Sequence, residues 1–121
     1  MTRCLIVDDN ASFLEAAATL LEREGLTVIG VASTTEEALR QVPELQPDVV
    51  LVDITLGAES GLDLTRRLAA NGAHLPVILI STHAEADFAD LIAATPAAGF
   101  VTKSELSAAA IRRLANATRE T

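Results

Sequence analysis

Residues 49–56 read Val-Val-Leu-Val-Asp-Ile-Thr-Leu, a run of four apolar residues that ends on the acidic residue Asp53. Four further apolar runs, the last two of them weaker, occur at Cys4–Val7, Val77–Ile80, Val28–Ala32 and Phe100–Thr102. Continuous apolar runs of this length are typical of strands that are buried on both faces of a parallel sheet. The sequence therefore predicts five strands.

Segments with helical periodicity separate the strands. In residues 11–24, Leu14, Ala18 and Leu21 recur on one stripe, and Gly25 follows as a stop signal. Apolar residues mark four later helices: Ala38, Leu39 and Val42; Leu62, Leu64 and Leu68; Phe88, Leu91 and Ile92; and Leu106, Ala110, Ile111 and Leu114.

Three local signals refine these helices. Thr34 and Glu37 have the spacing of a capping box at the start of the second helix, and Ser104 is the predicted N-cap of the last. Pro43 predicts that the second helix ends early or kinks. Strand and helix alternate five times, which predicts an α/β fold: a doubly wound, five-stranded parallel sheet with helices on both faces.

Composition limits the class of protein. With 121 residues, we expect one domain over residues 1–121. A formal net charge of −8 argues against direct nucleic-acid binding, and a single cysteine excludes an internal disulfide. No apolar run approaches the roughly 18 residues of a membrane span, and residues 1–10 lack the pattern of a signal peptide. We therefore expect a cytoplasmic protein without membrane contact.

Polar and charged side chains follow four of the five strands. Asp8 and Asp9 follow the first strand, Asp53 the third, Ser81 the fourth and Lys103 the fifth. In an open parallel sheet, ligands bind at the carboxyl ends of the strands. The sequence therefore predicts a site at this edge.

The chemistry of these side chains suits phosphoryl transfer to a carboxylate. Two carboxylates about 4 Å apart repel by roughly 4 kcal/mol at an effective dielectric of 20, so three of them favour a divalent cation such as Mg²⁺. Lys103 is the only lysine in the chain, and its compact ammonium suits a phosphoryl oxygen. Ser81 offers a hydroxyl to a second oxygen.

Together these residues resemble the receiver domains of bacterial two-component response regulators, which have the flavodoxin-like (βα)5 fold. The matching features are Asp8-Asp9, Asp53 at the phosphoacceptor position, Gly61-Leu62 eight residues beyond it (61 − 53), Ser81 and Phe100 at the switch positions, and Lys103. The resemblance extends over essentially the whole chain.

The resemblance implies a role for each of these residues. Asp53 accepts a phosphoryl group from a sensor histidine kinase or phosphotransfer protein, and Lys103 and Ser81 contact that group. Mg²⁺ is held by Asp8, Asp9, Asp53 and the main-chain carbonyl of Thr55. Ser81 and Phe100 move, and the surface of the fourth helix, fifth strand and fifth helix changes. The only chemistry expected is the domain's own phosphorylation and dephosphorylation, so we do not expect an enzyme acting on other substrates.

Three positions depart from the family pattern, one of them Thr95-Pro96, which replaces a commoner Ala-Gly before the fifth strand. Gly57 stands where the family usually has proline, which predicts a more mobile loop. Ser104 follows Lys103, as in receivers attached to helix-turn-helix DNA-binding domains, so the expected output is transcription through a domain outside this chain. A stand-alone receiver and a phosphorylation-independent scaffold are the alternatives. Phosphorylation-dependent homodimers are also compatible with the family.

Simpler roles stay open for several residues. Asp8 and Asp9 have the chemistry to cap the first helix. Ser81 has an ordinary alternative as a strand-end hydroxyl. Phe100 is as compatible with a core aromatic as with a switch.

Overall fold

Five parallel strands form the central sheet of the computed structural model, which describes residues 2–72 and 75–119. The strands are β1 (Arg3–Val7), β2 (Thr27–Ala32), β3 (Val49–Asp53), β4 (Val77–Ser81) and β5 (Gly99–Thr102). Their order in the sheet is β2-β1-β3-β4-β5, and every neighbouring pair is parallel. The predicted sheet is confirmed, and β1 and β3 lie at its centre, where strand order reverses.

Helices cover both faces of the sheet. They are α1 (Ala11–Arg23), α2 (Thr35–Leu45), α3 (Gly61–Ala70), α4 (Ala89–Ala93) and α5 (Ala108–Arg119). One core cluster joins Leu14 and Leu21 of α1 and Ile111 of α5 to the sheet, and a second joins the buried side chains of α2 and α3 to its other face. Successive apolar residues of β1, β3 and β4 alternate between the two clusters, so the sheet is doubly wound as predicted.

The second and fourth helices differ from the sequence-based expectation. The second helix does not end at Pro43 but continues to Leu45. The fourth is only five residues long, follows a 3₁₀ turn at Glu85–Asp87 and has no fully buried residue. Its few apolar side chains pack only partly against the sheet, and Leu91 is half exposed.

The predicted N-cap of the last helix is wrong. Ser104 lies in a 3₁₀ turn, Lys103–Glu105, and α5 begins four residues later at Ala108. Ser107 supplies the cap, because its Oγ accepts a hydrogen bond from the N–H of Ala110 at 3.1 Å. The N–H of Ala108 donates to Glu24 Oε1 at 2.8 Å, so a contact from the end of α1 also fixes this start.

A short antiparallel hairpin follows β3. Thr55–Leu56 pairs with Glu59–Ser60, and Gly57 and Ala58 form its two-residue turn. Gly57 has a φ of 60°, a left-handed value that proline cannot adopt. A glycine at the first turn position is typical of type II′ hairpin turns. The residue that departs from the family pattern is therefore the one this turn requires.

None of the helices in the described part of the chain is both long enough and apolar enough to cross a membrane.

Candidate functional site

The carboxyl ends of β1, β3 and β4 and the residues after β5 form one cleft of about 350 Å³. Its lining residues are Asp8, Asp9, Asn10, Asp53, Thr55, Ser81, Thr82, His83 and Lys103. The parallel sheet creates this convergence, since each strand delivers its following residue to the same edge. Every predicted site residue except Phe100 lines this cleft.

Three carboxylates lie together in the cleft. Asp8, Asp9 and Asp53 each offer one oxygen, and these oxygens lie within 4.8 Å of one another. Asp8 is fully buried and Asp53 is 8% exposed, whereas Asp9 is open to solvent. Since burial strengthens repulsion between like charges, the cluster needs positive charge close by.

Lys103 supplies one positive charge. Its Nζ lies 2.6 Å from Asp8 Oδ2 and 3.1 Å from Asp53 Oδ2. With three carboxylates and one ammonium, two negative charges remain (3 − 1) when all the acids are ionised. A hard divalent cation with oxygen ligands matches both this charge and this donor set. The residues therefore fit a Mg²⁺ site.

The electrostatics of Asp53 and Lys103 reflect this crowding. Burial raises the pKa of the Asp53 carboxyl, and the charge of Asp8 raises it further, against hydrogen bonds from Thr55 N–H and Lys103 that lower it. For Lys103, burial lowers the pKa, but its hydrogen bonds and charge interactions with Asp8 and Asp53 outweigh that effect, so the pKa is raised. The ammonium is thus held in its charged form.

Main-chain hydrogen bonds orient the two buried acids. Asp8 Oδ1 accepts from the N–H of Asn10 at 2.9 Å, and Asp53 Oδ1 accepts from the N–H of Thr55 at 3.1 Å. Neither Asp8 nor Asp9 is the N-cap of α1. That position belongs to Asn10, whose side chain accepts from the N–H of Phe13. The simpler capping role is therefore excluded for both acids.

Ser81 and Phe100 occupy different places. Ser81 is buried at the end of β4, and its Oγ accepts from the N–H of His83 at 3.1 Å. Phe100 is partly buried in β5 and packs against the second core cluster, outside the cleft. It also borders a surface depression with Thr102 and Arg113.

Glycine is required immediately beside Asp53. A Cβ at Gly61 would overlap the main-chain oxygen of Asp53, while the Gly61 N–H donates to Ile54 O at 2.8 Å. The start of α3 therefore packs directly on the end of β3. This contact explains the Gly61-Leu62 spacing that the sequence displays.

Three residues, two of them at or near the site, were not singled out from sequence. Asn10 precedes a helical run and is a preferred N-cap type, so that signal was available. Phe13 places its ring 4.2 Å from Lys103 Nζ, and Glu59 Oε1 accepts from Thr35 N–H at 2.9 Å. Both contacts join residues far apart in the chain, and no local pattern indicates them.

Comparison with known proteins identifies the family. Residues 4–115 match the family model described as "Response regulator receiver domain". The chain belongs to this family. It is 35% identical over 104 residues to the response regulator GacA of Pseudomonas viridiflava, covering 85% of this chain and 49% of that protein. It thus spans about half the length of this curated relative.

Solved receiver structures agree with this assignment. The receiver domain of a diguanylate cyclase from Desulfovibrio desulfuricans shares 32% identity at a TM-score of 0.81, covering 99% of this chain and 94% of that one. A LuxR-family two-component response regulator from an Aurantimonas species shares 28% identity at a TM-score of 0.86, covering 99% and 86%. Family membership implies interaction with histidine kinases or phosphotransfer proteins.

Proposed function

We propose that this receiver domain is a switch controlled by phosphorylation of Asp53. The proposal rests on the solvent accessibility of Asp53 compared with that of Asp8 and Asp9. The side chain of Asp8 is fully buried, whereas that of Asp53 is 11% exposed and contacts Lys103 at 3.1 Å. Asp9 is exposed. Only Asp53 combines a path for an incoming phosphoryl group with direct contact to the ammonium.

Mg²⁺ is the proposed cofactor. Asp8, Asp9 and Asp53 would hold it, with the main-chain carbonyl of Thr55 as a further ligand. When bound, the ion neutralises phosphoryl oxygens during transfer. Asp53 Oδ2 is the proposed nucleophilic oxygen, because it faces the Lys103 ammonium that would contact the incoming phosphoryl group, whereas Oδ1 accepts the Thr55 N–H. Lys103, which contacts Asp8 Oδ2 and Asp53 Oδ2, would move its hydrogen bonds from these carboxylates to the phosphoryl oxygens.

Ser81 and Phe100 are the proposed switch residues. A phosphoryl group adds roughly −1.5 to −2 charges and three acceptor oxygens. Ser81 Oγ, which already receives the His83 N–H, has its own hydrogen free to donate to one of these oxygens. Movement of Ser81 at the end of β4 changes the space beside β5, where Phe100 lies. The altered surface consists of α4, β5 and α5.

The proposed phosphodonor is a sensor histidine kinase or phosphotransfer protein, and the proposed output is transcription. Similarity to GacA and to a LuxR-family regulator supports a DNA-binding domain outside residues 1–121, although a diguanylate cyclase is among the similar proteins. The coding sequence after residue 121 tests this output: a helix-turn-helix module supports it, and a nucleotide-cyclase module contradicts it. Phosphorylation-dependent dimerisation is a further proposal, testable by light scattering.

Incubation with acetyl phosphate and Mg²⁺ tests the phosphoacceptor. We expect one base-labile phosphoryl group per chain by intact-protein mass spectrometry. Asp53→Asn should abolish it, while the control Asp63→Asn, an exposed acid in α3, should leave it unchanged. Undiminished labelling of Asp53→Asn would refute the proposal.

Beryllofluoride with Mg²⁺ tests the switch. Backbone NMR signals of Ser81, Phe100 and Lys103 should shift together, because bound beryllofluoride occupies the place of a phosphoryl group. A protein that binds the metal but shows no response at these residues would instead be a phosphorylation-independent scaffold.

A further inference from the structure

The ammonium of Lys103 has a third neighbour besides the two carboxylates. The ring centroid of Phe13 lies 4.2 Å from Nζ, which is within the range of a cation–π contact. Phe13 is the third residue of α1, and the Asn10 cap fixes that turn through the hydrogen bond from Phe13 N–H. The ring is therefore held on a rigid element, at the opposite end of the chain from Lys103.

The three groups that contact Lys103 differ in whether they can also bind a metal ion or a phosphoryl group. Asp8 and Asp53 are also two of the three carboxylates available to a divalent cation, and Asp53 is the proposed phosphoacceptor. Any positive ion that engages these oxygens weakens their hold on the ammonium. The face of Phe13 offers no ligand to a metal and carries no exchangeable proton. It is the contact that stays available when the carboxylates are engaged.

We propose that Phe13 is a positioning residue, whose ring holds the Lys103 ammonium at the mouth of the cleft when its carboxylate partners are engaged by metal or phosphoryl group. The proposal rests on the proposed function of Asp53 and Lys103. Without the ring, the ammonium is free to move toward water, because Lys103 has a flexible four-carbon stem and its side chain is 13% exposed.

A purely structural role for Phe13 makes a different prediction. Phe13 is partly buried and packs against the first core cluster, so its removal affects packing as well as the ammonium. Leucine and methionine at this position retain apolar packing but have no aromatic face. Tyrosine retains the face. A positioning role therefore predicts rescue by tyrosine and not by methionine, whereas a packing role predicts that all three behave alike.

NMR of the side chain of Lys103 tests the contact directly. Because the chain contains one lysine, ¹³C-lysine labelling gives a single set of ε-methylene signals. Protons above an aromatic face resonate upfield, so we expect upfield ε-protons in the wild type, both before and after saturation with Mg²⁺. Phe13→Leu should move them to ordinary lysine values, and Phe13→Tyr should keep them upfield. The control Phe88→Leu, in a phenylalanine that packs on the other core cluster, should leave them unchanged.

Phosphorylation kinetics test the consequence. The usual size of a cation–π contact corresponds to a factor of about 2 to 30, so Phe13→Leu should slow acetyl-phosphate labelling of Asp53 within that range, and Phe13→Tyr should restore it. Circular dichroism confirms folding of each variant, and Phe13→Met replaces Phe13→Leu should the latter not fold.

Each outcome decides one claim. Ordinary ε-proton shifts in the wild type, or loss of the upfield position on adding Mg²⁺, overturn the role of Phe13, as does an unchanged labelling rate in Phe13→Leu. Absence of labelling in the wild type overturns the function of Asp53 instead, and the NMR comparison still decides the positioning of Lys103.

Discussion

Replacing Lys103 with methionine should destabilise the metal-free domain by leaving buried carboxylates without a counter-charge. The side chains of Asp8 and Asp53 are 0% and 11% exposed, so water compensates only in part for the loss of the ammonium. Removing one partner of a buried ion pair costs about 3–5 kcal/mol. Because methionine refills the space and the Lys103 site is partly open, we expect about 3 kcal/mol, the lower end of this range.

This loss converts to a measurable melting shift. An unfolding entropy of about 2.1 cal/mol/K per residue, over a chain of 121 residues, makes 1 kcal/mol worth about 4 °C. Lys103→Met should therefore lower the Tm by about 12 °C at pH 7 in the absence of divalent cations, measured by calorimetry. Lys103→Arg retains the charge and is the control, with a smaller expected loss.

The pH dependence of the loss tests its electrostatic origin. Burial already raises the pKa of Asp53 above its ordinary value of 3.8, and removing Lys103 takes away an influence that lowers it, so the pKa rises further in the variant. A protonated carboxyl needs no counter-charge. The difference in Tm between the wild type and Lys103→Met should therefore be largest at neutral pH and decrease as the pH falls toward 4. An equal gap at both pH values, or none at pH 7, would refute the reasoning.

Three further predictions concern single sites. Gly61→Ala should lower the Tm well below that of Gly72→Ala, since a Cβ at Gly61 overlaps Asp53 O, while one at Gly72 meets nothing within 4 Å and adds only the backbone strain of a φ of 83°. Asp53→Asn should gain stability relative to the wild type as pH rises through the raised pKa of Asp53, because ionisation there costs stability; urea melts across pH 4–8 measure this. Asp9→Asn should remove most of the thermal stabilisation by Mg²⁺, which Asp63→Asn should retain.

The sheet and the convergence of the site could be predicted because both follow from strand chemistry. Val49–Val52 is short, rich in β-branched residues and without a polar residue, as expected of a strand covered on both faces. Once the strands are parallel, Asp8, Asp53 and Lys103 must reach the same edge, whatever the details of the loops. The position of the acids therefore depends on topology and not on any fine contact.

The start of α5 shows what sequence patterns do not decide. Ser104 and Ser107 are equally good N-cap types, and both precede apolar residues. The choice is made by Glu24 at the end of α1, which accepts the Ala108 N–H. Leu106 is buried before the helix begins, so its apolar character does not mark a helical face. The tertiary contact with Glu24 therefore decides where α5 begins, and the local N-cap signal at Ser104 does not.

The hairpin after β3 was unpredicted for a different reason. Its strands have two residues each, too short to display alternation, and its turn glycine, Gly57, was interpreted as a source of mobility. The hairpin is also bonded to α2, because Glu59 Oε1 accepts the N–H of Thr35, the first residue of that helix. Short strands of this kind are stabilised by such tertiary bonds more than by their own pairing.

The site conflicts with the stability of the fold that forms it. Asp8 and Asp53 are buried where apolar side chains would pack without cost, and one ammonium serves both. Burial raises the pKa of Asp53, so its charged form is held at the expense of folding free energy. A ligand that supplies positive charge to these oxygens recovers part of that energy. The same imbalance that costs the metal-free domain stability would therefore favour the proposed binding of Mg²⁺.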